Sequence, residues 1–226
     1  GHLGQPVLGE CRAMGEEIRK AASVIAVREG TQGPEVLVLE RSAGSRFLPG
    51  YVAFPGGATD VEDAAHAERW FGAAEEAPRA CAVRELLEEV GLVLSAEGLR
   101  EAHGRPMAAI EGSPPRADQL TRVAHWIAPP DVPVRFDAQY FAVRAPAGVE
   151  PEPDGHEAAR AWWASPSSLL EDWAEGRCKL YWPTYFTMRE LARCASAEEL
   201  LALEFTTREP GEDDVARMPR ATFWQD

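Results

Sequence analysis

The chain has no pair of cysteines or histidines at metal-ligand spacing. Its four cysteines, Cys11, Cys81, Cys178 and Cys194, are scattered with no CxxC among them, a pattern that fits neither a zinc site nor a disulfide framework. The five histidines, His2, His66, His103, His125 and His156, form no HxxxH pair. No run approaches the roughly 18 apolar residues of a membrane-spanning helix. The first thirty residues also lack the apolar core of a secretory signal. A cytoplasmic protein without a membrane partner is the expectation.

Positive charge is scarce as well. Lys and Arg number 23 against 37 Asp and Glu, for a net charge of −14. Such a surface repels nucleic acid and anionic lipid. An anionic substrate would need local help, from an arginine cluster or a bound cation. What the chain does have is 226 residues, 45% of them hydrophobic and 27% charged, enough for one folded domain with a sizeable core.

The runs AASVIAVREG (21–30) and PEVLVLERS (34–42) flank a turn and predict a β-hairpin. The stretch 44–60 is rich in glycine and proline and predicts loop with one strand inside. Residues 61–74 are alanine-rich and acidic, weakly helical at best. A strong helix pattern runs from Glu75 to Val90, with Pro78 in its first turn and Gly91 just past its end. Further on, 98–130 mixes loop with one or two strands, 135–145 alternates as a strand, and 148–157 is an acidic loop. Residues 159–165 read as a strand running into a Ser165-Pro166 helix start, and two more helices are expected over 183–194 and 196–203. This order predicts an α/β or α+β sandwich over 21–205, with an arm over 1–20 and a tail over 206–226.

One stretch is electrostatically odd. RELLEEVGL (84–92) sets Glu85, Glu88 and Glu89 on one helix. At 100° per residue, Ala82, Val83, Leu86, Leu87 and Val90 gather with Arg79 on the core side, and the three glutamates fall together on the other. Like-charge pairs at these spacings cost about 0.2–0.5 kcal/mol each, and carboxylates near a helix C-terminus oppose its dipole. A solvated acidic face is one account. The other is a site for a hard divalent cation, Mg²⁺ or Mn²⁺, which prefers oxygen ligands. The second is favoured because no lysine stands at i+4, although Arg84 can reach Glu88, and because a Gly-Gly loop and a strand lie just upstream.

These residues resemble the Nudix box, G-x5-E-x7-R-E-U-x-E-E-x-G-U, with U a bulky aliphatic. Arg84, Glu85, Leu86, Glu88, Glu89, Gly91 and Leu92 fill their positions, and Glu76 lies eight residues before Arg84, as E-x7-R asks. The box glycine should precede the arginine by 14 positions, whereas Gly57 precedes Arg84 by 27, an insertion of about 13 residues within about 58–73. Upstream, R-S-x3-R-x3-G-x3-F-P-G-G from Arg41 to Gly57 is similar to the pattern of coenzyme A-cleaving Nudix enzymes, except that Leu39 replaces its threonine. The distal segments RFDAQYFAVRAP, WWASPSSLL and YWPTYFTMRELARCASAEELL also look like that subgroup.

The resemblance implies an α/β/α sandwich with a mixed β-sheet and C-terminal helices. It implies a metal-dependent hydrolase that cuts a nucleoside diphosphate linked to another moiety. Carried over, Glu88 and Glu89 are the principal metal ligands, Glu85 a ligand or the base, Arg84 the ion pair that holds them, and the Gly57 backbone a further ligand. Some relatives use a base from a distant loop, for which Glu152 and Glu157 are candidates. Arg41 and Arg46 could grip phosphates through forked guanidinium bonds, or simply pair with nearby carboxylates. Trp162, Trp163, Tyr181, Trp182 and Phe186 could stack on a base or belong to the core, and the C-terminal helices offer a surface for a homodimer. Coenzyme A or acyl-CoA is the expected substrate. ADP-ribose, NADH or a nucleotide sugar is the rival, and a non-catalytic nucleotide-binding module the third.

Overall fold

A long first strand, β1 (Arg19–Gly30), organises the fold. The computed structural model describes residues 18–104, 106–128 and 135–205, so nearly all of the expected arm and the whole expected tail lie outside the described residues. β1 turns into β2 (Gly33–Arg41) as the expected antiparallel hairpin, with Val27 opposite Val36. The other edge of β1 takes β8 (Phe136–Arg144) in parallel, from Arg19 opposite Phe136 to Val27 opposite Arg144. β7 (Thr121–Ile127) adds antiparallel to β8, and β9 (Ala158–Ala164) antiparallel to β2. One parallel pair among antiparallel ones makes the sheet mixed.

Past Val27 and Val36 the hairpin splays. The notch is filled by two short strands, β3 (Val52–Ala53) on the edge of β2 and β4 (Gly56–Ala58) on the edge of β1. The Pro55 carbonyl between them accepts the Val24 N–H at 2.8 Å. The glycine-proline stretch is therefore built into the middle of the sheet, with two short strands where the sequence predicts one.

Side chains alternate across the pleat, so each strand feeds two cores. Val24, Ala26, Leu37, Leu39, Phe141 and Val143 pack against α2 (Ala77–Val90). Ile25, Val27, Val36, Val38, Tyr140 and Ala142 pack on the other face beneath α4 (Pro166–Ala174), α5 (Trp182–Leu191) and α6 (Ala197–Leu201). Helices on both faces of a mixed sheet give the α/β/α sandwich expected. A small hairpin of β5 (Leu92–Ser95) and β6 (Gly98–Glu101) follows α2, beside a single turn, α3 (Ala108–Glu111).

The stretch expected to be at best weakly helical is a regular helix, α1 (Val61–Phe71). Asp60 caps it by accepting from the Glu62 and Asp63 N–H groups, Asp63 returns the bond to the Asp60 N–H, and Gly72 ends it in the left-handed region. Reciprocal capping and a buried carboxylate at Asp63, rather than propensity, hold this helix in place.

Candidate metal and catalytic centre

The apolar stripe of α2 packs as its periodicity predicts, but the opposite side is not solvated. Only Glu88 is exposed; Glu85 and Glu89 keep 6% and 3% of their surface. Two elements cover them. β4 lies against the helix so closely that a Cβ on Gly57 would stand 2.3 Å from Glu85 Oε1. On the other side, the acidic loop docks on the end of α2, its Glu152 and Asp154 N–H groups donating to the Val90 and Glu89 carbonyls at 2.9 and 3.0 Å. Those N–H groups satisfy carbonyls that a helix end otherwise leaves open.

That docking brings in a third carboxylate. Asp154 accepts from the N–H groups of His156, Glu157 and Ala158, and Ser42 donates its N–H to the Glu157 carbonyl at 2.9 Å. Thus fixed, Glu157 offers an oxygen that lies with oxygens of Glu85 and Glu89, all within 4.8 Å of one another. Of the two distant candidates, Glu157 reaches this cluster and exposed Glu152 does not. Glu88 lies outside it; its Oε2 takes a bond from Arg84 Nη1 at 2.7 Å.

Arg84 is nearly buried and fully used. It gives Nε and Nη2 to the two oxygens of Asp63 at 2.9 and 3.0 Å, and Nη1 to Glu85 Oε1 at 2.8 Å as well as to Glu88. The E-x7-R spacing points to Glu76, but Glu76 pairs with Arg79 at 2.6 Å. The partner is Asp63, wholly buried on α1.

Burial dominates the titration of the cluster. It pushes Glu85 up to about 7, with Glu88 and Glu157 adding to the shift and Arg84 opposing it. Burial and neighbouring Glu85 also raise Glu89, against the Gly56 N–H, 2.8 Å from its Oε2, and the Arg41 charge. Burial likewise raises the Cys81 thiol, which faces the Gly57 carbonyl at 3.5 Å. Carboxylates this close titrate as a group. Their hard oxygens, converging from two elements beside a glycine backbone, match the donor set of Mg²⁺ or Mn²⁺.

Beside the cluster opens a cavity of about 400 Å³, walled by Arg41, Phe47, Leu48, Tyr51, Phe54, Gly56 and Gly57. Arg41 enters with its guanidinium held by the Phe47 carbonyl at 2.7 Å and Ser45 Oγ at 2.9 Å, not by a carboxylate. Arg46 is exposed on the same loop and is not part of the described lining. Of the aromatic candidates, Tyr181 and Trp182 line the cavity. Trp162, Trp163 and Phe186 do not: Phe186 stacks on Trp126, and Trp163 carries Arg28 4.4 Å above its ring. Asp137 pairs with His125.

A family model described as NUDIX domain matches residues 17–181. Among curated proteins, "Putative nudix hydrolase 7" of Caenorhabditis elegans is 26% identical over 193 residues, 77% of this chain; the match spans only 61% of that protein's length. Among solved structures, a NUDIX hydrolase from Alicyclobacillus acidocaldarius is 31% identical with a TM-score of 0.73, covering 83% of this chain and 97% of its own. The NUDIX domain of Shewanella oneidensis NrtR, solved with ADP ribose, is 13% identical with a TM-score of 0.50 over 79% of this chain and 88% of its own, a likeness of fold alone.

Proposed function

The chain belongs to the Nudix family, and from that premise we propose that it is a metal-dependent pyrophosphohydrolase whose substrate is coenzyme A or an acyl-CoA. The observation that carries the chemistry is the convergence of Glu85, Glu89 and Glu157 at the mouth of a cavity walled by the Arg41–Gly57 segment. In this proposal Glu89 and Glu157 hold a divalent cation and Glu85 beside them serves as the base. When bound, such a cation neutralises diphosphate charge and activates water.

The chain's own residues divide the remaining work. Arg84 fixes Glu85 through Oε1, leaving Oε2 to accept the proton of the attacking water. Burial raises the proton affinity of Glu85, in the direction that suits a base. Gly56 orients Glu89 through its N–H. Arg41, pre-set by Phe47 and Ser45, offers its remaining N–H groups to the diphosphate. Glu88 steadies Arg84 from the solvent side.

Support for coenzyme A rests on the Arg41–Gly57 pattern, which forms the cavity wall. Attack at phosphorus would give 3′,5′-ADP and 4′-phosphopantetheine or its acyl form. The test is mass-spectrometric product analysis with coenzyme A and Mg²⁺ or Mn²⁺, with Glu89→Gln as control. Metal-dependent 3′,5′-ADP that disappears in the variant supports the proposal. Cleavage of ADP-ribose or NADH but not coenzyme A would shift the substrate class, and no cleavage of any diphosphate would leave a nucleotide-binding module.

A further inference from the structure

The cavity continues well past the carboxylates, and its far end is cationic. Its floor is the α5-side face of three strands: Arg19, Ala21 and Ser23 of β1, then Phe136, Ala138 and Tyr140 of β8, then Trp126 at its edge on β7. Register puts Arg19 beside Phe136 and Ala21 beside Ala138. Small side chains at Ala21, Ser23 and Ala138 leave a recess between larger ones. Aromatic walls rise around it, with Phe47 edge-on to both Phe136 at 5.7 Å and Tyr181 at 5.9 Å. A flat apolar-faced group fits such a recess.

Two arginines line the cavity, and they serve opposite ends. Arg41 neighbours the carboxylates, where it eases the ionisation of Glu89. Arg19 lies three residues before Ala22, whose partner across the ladder is Gly57, a separation of roughly 10 Å along an extended strand. Arg19 is exposed, and among the described residues no ion pair engages its guanidinium. In a chain of net charge −14, an exposed cation lining an aromatic-walled cavity is a recognition element for an anion.

We propose that Arg19 is a specificity residue that binds a second phosphate, a monoester on the ribose of the nucleotide whose diphosphate lies at Glu85, Glu89 and Glu157. The inference rests on the hydrolase reading and narrows its substrate to nucleotides phosphorylated at two places. The ribose then lies between the two anion sites, and the aromatic recess takes the base. Arg19 acts on binding and not on the chemical step.

The test compares 3′,5′-ADP with 5′-AMP, which lacks only the ribose 3′-phosphate, by calorimetric titration with Mg²⁺ into the wild type, Arg19→Gln and Arg19→Lys. The wild type is expected to favour the bisphosphate by on the order of ten- to a hundredfold, the range of one charge-assisted contact. Arg19→Gln should bring that ratio near one while 5′-AMP affinity stays put, and Arg19→Lys should keep part of it. In turnover, Arg19→Gln should raise KM for coenzyme A and leave kcat, with little change for dephospho-coenzyme A. Equal ratios in wild type and Arg19→Gln would overturn the assignment. Coenzyme A cleavage without that discrimination sinks the Arg19 inference alone. Discrimination through Arg19 without coenzyme A cleavage sinks the coenzyme A reading alone, and points to another ribose-phosphorylated dinucleotide.

Discussion

Arg84 gives the Nε and Nη2 edge of its guanidinium to both oxygens of Asp63, at 2.9 and 3.0 Å, across 21 residues of sequence. Asp63 has no exposed surface, so the pair is a buried one whose breakage strands a charge. Asp63→Ala is expected to lower unfolding free energy by about 3–5 kcal/mol, as removing one partner of a buried pair does. Glu76→Ala, at the spacing the sequence pattern favoured, touches only the part-exposed Arg79 pair and should cost less than about 1 kcal/mol. Urea unfolding of the two variants checks the contrast.

That pairing also marks where the sequence could be read and where it could not. The hairpin, the core stripe of α2, the Pro78 and Gly91 boundaries and the later strands follow from periodicity and turn chemistry, which act locally. Asp63 was visible in principle, since it stands six positions after Gly57, where the first box carboxylate belongs. Spacing hides it, because Arg84 stands 21 positions after Asp63 where the box asks for eight, and Glu76 matches that spacing instead. The burial of Glu85 and Glu89 was not legible, because a helical wheel shows one apolar face and not the loop that later covers the other. Choosing Glu157 over Glu152 likewise needs the Asp154 turn, which places one carboxylate inward.

Glu85 has a proton affinity raised in the fold, to about 7 from an unfolded 4.5, chiefly by burial. A raised carboxylate favours the protonated folded state. Its stabilisation is present below about pH 4.5 and is lost as pH rises through about 7, by on the order of 3 kcal/mol at most. Metal-free protein should therefore lose melting temperature over that window, and Glu85→Gln should flatten the loss. Added Mg²⁺ or Mn²⁺ should raise the midpoint more at pH 8 than at pH 5, because ligand carboxylates must be deprotonated. Differential scanning fluorimetry with and without the cation reads both effects.

Gly57 is glycine because Glu85 occupies the space of its Cβ, which would lie 2.3 Å from Oε1. Gly57→Ala must push the Glu85 carboxylate out of the cluster. A displacement of about 1 Å can cost about a hundredfold in turnover, and kcat is expected to fall by at least that much. The circular dichroism spectrum should stay unchanged, since the clash is with a side-chain end and not with backbone.

Glu88 and Glu89 are adjacent in sequence and unequal in space. Glu89 is buried in the three-carboxylate cluster, whereas Glu88 is exposed and bonds Arg84. Glu89→Gln should abolish measurable cation affinity at millimolar metal, while Glu88→Gln should weaken it far less. Manganese titration followed by water-proton relaxation separates the two, and equal losses would place Glu88 among the ligands.

Asp154 adds no oxygen to the three-carboxylate cluster, yet three backbone N–H groups, those of His156, Glu157 and Ala158, end on its carboxylate. That turn aims Glu157 at Glu85 and Glu89, while the loop stays anchored on α2 by backbone bonds from Glu152 and Asp154 that need no side chain. Asp154→Ala should therefore spare the anchor and loosen only the aim. Stability should drop by about 1 kcal/mol, the usual cost of a lost backbone cap. Cation affinity should fall about 10–100-fold, as it does when an outer group that orients a ligand is removed. Asp154→Asn, which still accepts hydrogen bonds, should recover most of both. Metal titrations and melts on the two variants check the pairing, and an unchanged cation affinity in Asp154→Ala would mean that Glu157 is not a ligand.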